Sequence, residues 1–246
     1  MKLSKIYSNN DLFKEVKFND HLNIVLGSIK HPEKKDNDSH NLGKTTLIHL
    51  IDFLLLKEID KDHFLKGSIF NTDIYFLEIL TNSGNSVTIR RSVEQNTKIS
   101  IKIHEQRYLN LVNEQNWDYF ELPLTSKDDK KNPKKILDSL INLSIDSNNY
   151  FYRDIITYFT RNQNDYTDIF KLSKFQGKDV DWKPSLFTLL GFDGDYLEKK
   201  YRLEAEINSK EELIKKIEKE FSVDAVAKER IKNLITIKDR NIRFES

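Results

Sequence analysis

Gly43-Lys44-Thr45 is the one tripeptide in the chain whose residue types and order suggest a chemistry. In a phosphate-binding loop the glycine allows close backbone approach, the lysine sets a compact positive charge on the β and γ phosphates, and the threonine hydroxyl reaches Mg²⁺. Backbone amides of Asn41 and Leu42 extend such a cradle, and Thr46 belongs to the same cofactor-binding set, because the first turn of a helix carries the positive end of its dipole. The position six residues before Lys44, where the first glycine of the motif is normally found, is Asp38. Gly27 closes the preceding apolar run instead, and fifteen residues (28–42) separate it from Gly43, against about four in the usual spacing. Gly27 then reads as the first glycine with an insertion behind it, which costs little closure entropy. The cofactors implied are ATP and Mg²⁺.

Such a loop needs a buried strand before it and a helix after it. Leu22 to Leu26 (LNIVL) is an apolar run ended by Gly27, the pattern of a strand buried on both faces. From Thr45 to Glu58 apolar residues recur at helical spacing with almost no polar face, which predicts a buried helix. Residues 72–80, 86–93 and 97–104 alternate polar and apolar types and are separated by the turn-like TNSGN and EQN, predicting an antiparallel meander. Glu78, within that meander, and Asp146, after an interrupted apolar run, are the nearest acidic candidates for a metal ligand, and Glu78 reads better as a strand residue. The charged stretch 125–135 predicts an exposed loop, followed by helices over about 134–145 and 149–161, an irregular stretch to Pro184 and a short apolar helix closed by Gly191.

Beyond Tyr196 the composition turns to Glu, Lys and sparse apolar residues. Leu203, Ile207, Ile214, Ile217 and Phe221 fit alternate steps of three and four if Lys210 fills one position, giving two to three heptads of coiled coil or a single amphipathic helix. The expected organisation is a head lobe over 1–194 and the start of a coiled-coil arm over 195–246.

Lysine plus arginine (40) nearly cancels aspartate plus glutamate (39), so no global charge argues for nucleic acid. Basic clusters at 30–35, 130–135 and 228–243 could touch phosphates locally, although each has acidic or neutral neighbours. With no cysteine, disulfides and thiolate metal sites are excluded. No window approaches the ~20 apolar residues of a membrane span, and a cytoplasmic location is the default expectation.

The opening KIYSNNDLFKEVKFNDHLNIVLG, the phosphate loop and helix NLGKTTLIHLIDFLL, the VTIRR strand and the helical arm after Gly191 together resemble the N-terminal half of an SMC-type ABC ATPase. The pairing of FNDHLNIVLG with HNLGKTTLIHLIDFLL is similar to SMC-like ATPases found among bacterial antiphage defence genes. The resemblance implies an α/β P-loop NTPase head lobe with an antiparallel meander and a protruding coiled-coil arm, and ATP acting as glue between two heads. It implies a homodimer through those heads or a complex with other subunits, with DNA as a further partner. In that family a glutamine between the two lobes touches Mg²⁺ and the attacking water; Gln163, after the apolar helix YFYRDIITYFT, is the matching candidate, with a catalytic and a metal role. Arg90 or Arg91 would face phosphate or DNA. The family's signature motif, metal-binding aspartate and catalytic glutamate belong to its C-terminal half, and no equivalent is found in this sequence. Hydrolysis is therefore expected only with those elements supplied from elsewhere. Two other readings stay open: a non-enzymatic coiled-coil assembly protein with a decayed nucleotide loop, and a small P-loop phosphotransferase.

Overall fold

Alternation of apolar and polar residues lets a strand bury one face on helices and present the other to a different cover. Four such strands carry this fold. The structure is a computed structural model that describes residues 1–26, 43–142, 152–168, 170, 172, 177–220 and 225–244. Its strands are β1 (Lys2–Ser8), β2 (Val16–Lys17), β3 (Ile74–Leu80), β4 (Ser86–Ser92), β5 (Lys98–His104) and β6 (Tyr119–Pro123). They form one sheet in the order β2-β1-β3-β4-β5-β6. Every pairing is antiparallel. The protein is thus mixed α and β, and its described sheet is antiparallel throughout with the meander where the alternation places it.

On one face Leu77, Ile89 and Ile101 stand in register across three strands, with Ile79 and Val87 beside them. Against them pack Phe53, Leu54 and Leu55 from α1 (Lys44–Leu54) and the residue after it, and Ile136, Leu137 and Ile141 from α2 (Pro133–Ile141). Tyr152 and Ile156 from α3 (Tyr152–Phe159) complete this core. Each fully buried Leu or Ile contributes about 1.5–3 kcal/mol relative to exposure.

The opposite face carries a polar row, Lys5, Glu78, Thr88 and Lys102, paired strand to strand. Residues 105–118 cross over it. Tyr108 holds a left-handed φ of 63°, its N–H donates to Glu78 Oε1 at 2.9 Å and its carbonyl accepts from Lys5 Nζ at 3.2 Å. The N–H of Leu111 donates to the Tyr7 hydroxyl at 3.0 Å. Glu78 is therefore a buried meander residue that holds this crossing segment.

The helix after Gly43 begins at Lys44 and ends at Leu54 rather than at Glu58. Its first turn is exposed at Thr45 and Thr46, and it is fully buried only at Leu50 and from Asp52 onward. Within the stretch expected to be a loop, Asn132 Oδ1 accepts from the N–H of Lys134 and starts α2 at Pro133.

A smaller core of Tyr158, Leu172, Trp182 and Leu186 lies between α3 and α4 (Asp179–Leu189). Helix α4 starts before Pro184, where Asp181 Oδ2 accepts from the N–H of Lys178 at 2.8 Å. It ends at Gly191, whose φ of 86° turns the chain so that the N–H of Phe192 reaches Phe187 O at 2.9 Å. The Phe187 and Phe192 rings meet at 5.6 Å, the apolar contact that accompanies this type of helix end.

The chain divides into two compact units, Met1–Asp195 and Tyr196–Ser246. The second unit consists of α5 (Gly194–Glu220), apart from its first residues, and α6 (Ala225–Phe244). Leu203, Ile207, Ile214 and Ile217 on α5 are exposed, as are Ile231, Leu234, Ile235 and Ile237 on α6. Phe221 lies outside the described residues.

Candidate nucleotide site

Helix α1 opens at Gly43-Lys44-Thr45. Gly43 caps it in the left-handed conformation, φ 74°, and a Cβ there would meet no atom within 4 Å, so backbone conformation rather than crowding favours glycine. No side chain caps the helix, and no carboxylate lies in its first turn. Among the described residues no side chain accepts from the N–H groups of that turn, whose partial positive charge suits an anion. Thr45 and Thr46 are exposed beside it. Gly27, Asn41 and Leu42, and the insertion 28–42 with Asp38, lie outside the described residues, as does the side chain of Lys44.

Leu22–Leu26 forms no strand and is exposed, with Leu22 at 81%, Ile24 at 70% and Leu26 at 83%. This corrects the expectation of a strand buried on both faces. Such a strand needs a neighbour on each side and cover above and below, and the described residues supply none. The segment is nonetheless placed at its start: Arg107 Nη1 pairs with Asp20 at 2.9 Å, and Asn23 Oδ1 accepts from the N–H of Asn19 at 2.7 Å.

The other end of α1 is held by buried polar groups. Arg91 is fully buried on the core face of β4 and donates to the carbonyls of Phe53, Lys57 and Asn96. Its guanidinium carbon lies 3.9 Å from the Phe53 ring centroid. Burial, then the neighbouring Arg153, pushes its pKa down to about 9, and it stays charged at neutral pH. Arg91 therefore does not face phosphate or DNA; it closes the carbonyl end of α1, where a cation complements the dipole. Arg90 is half-buried, with its guanidinium 5.9 Å from the Trp117 ring.

Asp52, buried on α1, receives Arg153 Nη2 and the Thr160 hydroxyl on the same oxygen, the latter at 3.0 Å, while Lys57 lies 3.2 Å from its other oxygen. Tyr152 and Arg153 both donate to Leu55 O, at 2.7 and 3.1 Å. Of the residues that grip α1, Asp52, Tyr152, Arg153 and Thr160 carry no signal in the sequence, and Arg91 was expected at phosphate or DNA instead. For Arg91 a signal existed: it continues the parity of Val87 and Ile89, which places it toward the core.

Gln163 is exposed and opens the 3₁₀ turn Gln163–Tyr166. Asn162 Oδ1 accepts from the N–H groups of Asn164 and Asp165, and Asp165 Oδ2 accepts from the N–H of Asn162 at 2.9 Å, so the turn is closed on itself. Among the described residues no hydrogen bond joins Gln163 to Thr45 or Thr46. Thr160, three residues before Gln163, meets α1 through Asp52.

An apolar cavity of about 320 Å³ opens beside α1, lined by Leu3, Ile48, Ile51, Ile156 and Phe159, with Arg161 also at its wall. Among the described residues no cluster of three or more His, Asp or Glu side chains is arranged to hold a metal, and no helix is long and apolar enough to cross a membrane. In the 130–135 basic cluster Lys134 faces Glu58 at 3.4 Å and Lys135 faces Asp129 at 2.7 Å. The 30–35 cluster is outside the described residues, and the described part of 228–243 is exposed on α6. No protein-family model, no curated protein and no solved structure matches this chain.

Proposed function

We propose that the chain is the nucleotide-binding N-terminal portion of an SMC-type ABC ATPase head, a P-loop NTPase lobe with a coiled-coil arm. In this reading it binds ATP and Mg²⁺ through Gly43, Lys44, Thr45 and Thr46. The observation that carries it is the start of α1: an uncapped helix N-terminus at a left-handed glycine, with no acidic side chain in its first turn, falling on the Gly-Lys-Thr sequence. Lys44 neutralises the β and γ phosphates, and Thr45 and Gln163 reach the metal.

The exposed Leu22–Leu26 run and the open cavity along α1 support the further view that the head is completed by additional protein carrying the signature motif and the acidic pair. ATP then binds without being hydrolysed by these residues alone, and its occupancy favours head pairing. The cellular role that fits is a cytoplasmic DNA-sensing or DNA-processing complex of the antiviral defence kind. DNA contact rests on the resemblance and on the exposed cations of α6.

Titration calorimetry with the β,γ-imido analogue of ATP and Mg²⁺ tests the assignment. Lys44→Ala is expected to weaken binding roughly ten- to a hundredfold, the worth of a charge-assisted phosphate contact. Undiminished affinity overturns it.

A further inference from the structure

Helices α5 and α6 each carry an apolar stripe that stays in water within one chain. Leu213, Ile214 and Ile217 on α5, and Ile231, Leu234 and Ile235 on α6, are 46–64% exposed. We propose that two copies of the chain pair antiparallel through these stripes, α5 of each lying on α6 of the other. The contact needs no nucleotide and is separate from the head pairing described above.

The spacing of the two stripes carries the argument. On α5 the seam runs through Lys210, Ile214 and Ile217, in steps of four and three; on α6 it runs through Lys228, Ile231 and Ile235, in steps of three and four. Laid antiparallel, the two series match layer by layer: Ile217 meets Lys228, Ile214 meets Ile231 and Lys210 meets Ile235. The positions beside the seam then set Leu213 against Leu234 and Glu211 against Lys232. Each seam lysine faces an isoleucine rather than another cation. The Lys210 ammonium is already drawn aside to Glu206, one turn back at 2.7 Å, which leaves its methylene stem to cover the isoleucine.

Pairing α5 with itself is disfavoured in both directions. In parallel, Lys210 falls on Lys210 of the second copy and Glu206 on its Glu211; in antiparallel, the side formed by Glu204, Glu211 and Glu218 faces its own kind. A lysine at a seam position selects against such registers. A hairpin within one chain could use the same layers, but it would cover both stripes, and both are exposed. Two copies related by a two-fold axis make the α5–α6 contact twice and bury both stripes of each chain, so the assembly closes as a dimer rather than growing.

The chain has no cysteine, so introduced thiols report the contact directly. Full-length Ile214→Cys and Ile231→Cys chains, mixed without nucleotide and oxidised in a glutathione buffer, should give a disulfide-linked dimer containing one of each. Neither variant alone should do so, because only facing seam positions bring two Cβ atoms within disulfide reach. Glu212→Cys, on the far side of α5, should link to Ile231→Cys about tenfold less or worse. A chain carrying both Ile214→Cys and Ile231→Cys should run as a covalent dimer on a non-reducing gel. If that double variant stays monomeric with an internal disulfide, the helices fold back within one chain and the proposal is overturned. It is also overturned by equal linking of Ile214→Cys to itself, by equal yield from Glu212→Cys, or by no link in the mixture. Because no nucleotide is present, none of these outcomes depends on the ATP reading.

Discussion

The guanidinium carbon of Arg91 lies 3.9 Å from the centroid of the Phe53 ring, and the same guanidinium donates to the backbone carbonyl of Phe53. One side chain thus packs against a helix residue and closes the helix that carries it. Arg91→Met fills similar volume but takes a donor from three carbonyls in a buried site, of which that of Phe53 keeps the Leu56 N–H at 3.0 Å. A loss of about 3 kcal/mol or more is expected in urea unfolding, read as a lower midpoint at unchanged slope. Arg90→Met, which removes only a partly exposed cation from Trp117, should cost about 1 kcal/mol or less. Equal effects at the two neighbours would contradict this division of labour.

Thr45 stands exposed in the first turn of α1, where a hydroxyl can meet a metal. Removing Mg²⁺ with a chelator should weaken analogue binding about tenfold or more, and Thr45→Val should bind with magnesium as weakly as wild type does without it. Calorimetry at matched ionic strength checks this; a valine variant that still responds fully to Mg²⁺ assigns the metal to other groups.

His63 accepts a hydrogen bond from the N–H of Leu65 at 3.4 Å, a role that requires its unprotonated Nδ1. Burial, then the adjacent His49 ring, holds its pKa below the ordinary histidine value of 6.5; nearby Lys57 and Arg91 add to the shift and Asp60 opposes it. The neutral form is therefore favoured on folding. Its stabilisation is complete above pH 6.5 and is lost as pH falls through the folded pKa, because the unfolded chain takes up the proton first. The melting temperature should drop between pH 7 and pH 5. His63→Asn, which can still accept from Leu65 but does not titrate, should flatten that part of the profile.

Leu22, Ile24 and Leu26 put three large apolar side chains into water within five residues. The isolated chain should self-associate with concentration in sedimentation velocity. Replacing the three by serine should reduce that association while changing unfolding stability by only about 0.5 kcal/mol. A loss of several kcal/mol would mean that the run packs inside the molecule.

The same five residues show where reading from sequence reached its limit. Their composition predicts burial, and hydrophobicity states the need for a partner without saying which chain supplies it. The meander was legible because the alternation in 74–80, 86–92 and 98–104 is a local property and its turns hold Gly and Asn. The start of α4 was obscured by Pro184, which ordinarily begins a helix; the Asp181 carboxylate accepting from Lys178 moves that start five residues earlier. At the candidate site the tripeptide marked the beginning of α1. The grip on its far end was hidden at Asp52, Arg153 and Thr160, which come from separate parts of the chain and resemble solvated residues in isolation, whereas the parity of Arg91 with Val87 and Ile89 pointed toward the core.

The pairing of β1 with β3 has a consequence for how the chain is made. Lys2 is matched with Leu80, and Ser8 with Tyr75, so the first strand to leave the ribosome has only the two-residue β2 beside it until the third has emerged. The β3–β4–β5 hairpins are local and close quickly, whereas β1 must bridge a loop of more than sixty residues, which includes the Gly-Lys-Thr segment. The meander is therefore the template on which the N-terminus docks. Until it does, the core shared with α1 lacks Ile6 and Leu3, so the Gly-Lys-Thr end of that helix is completed late.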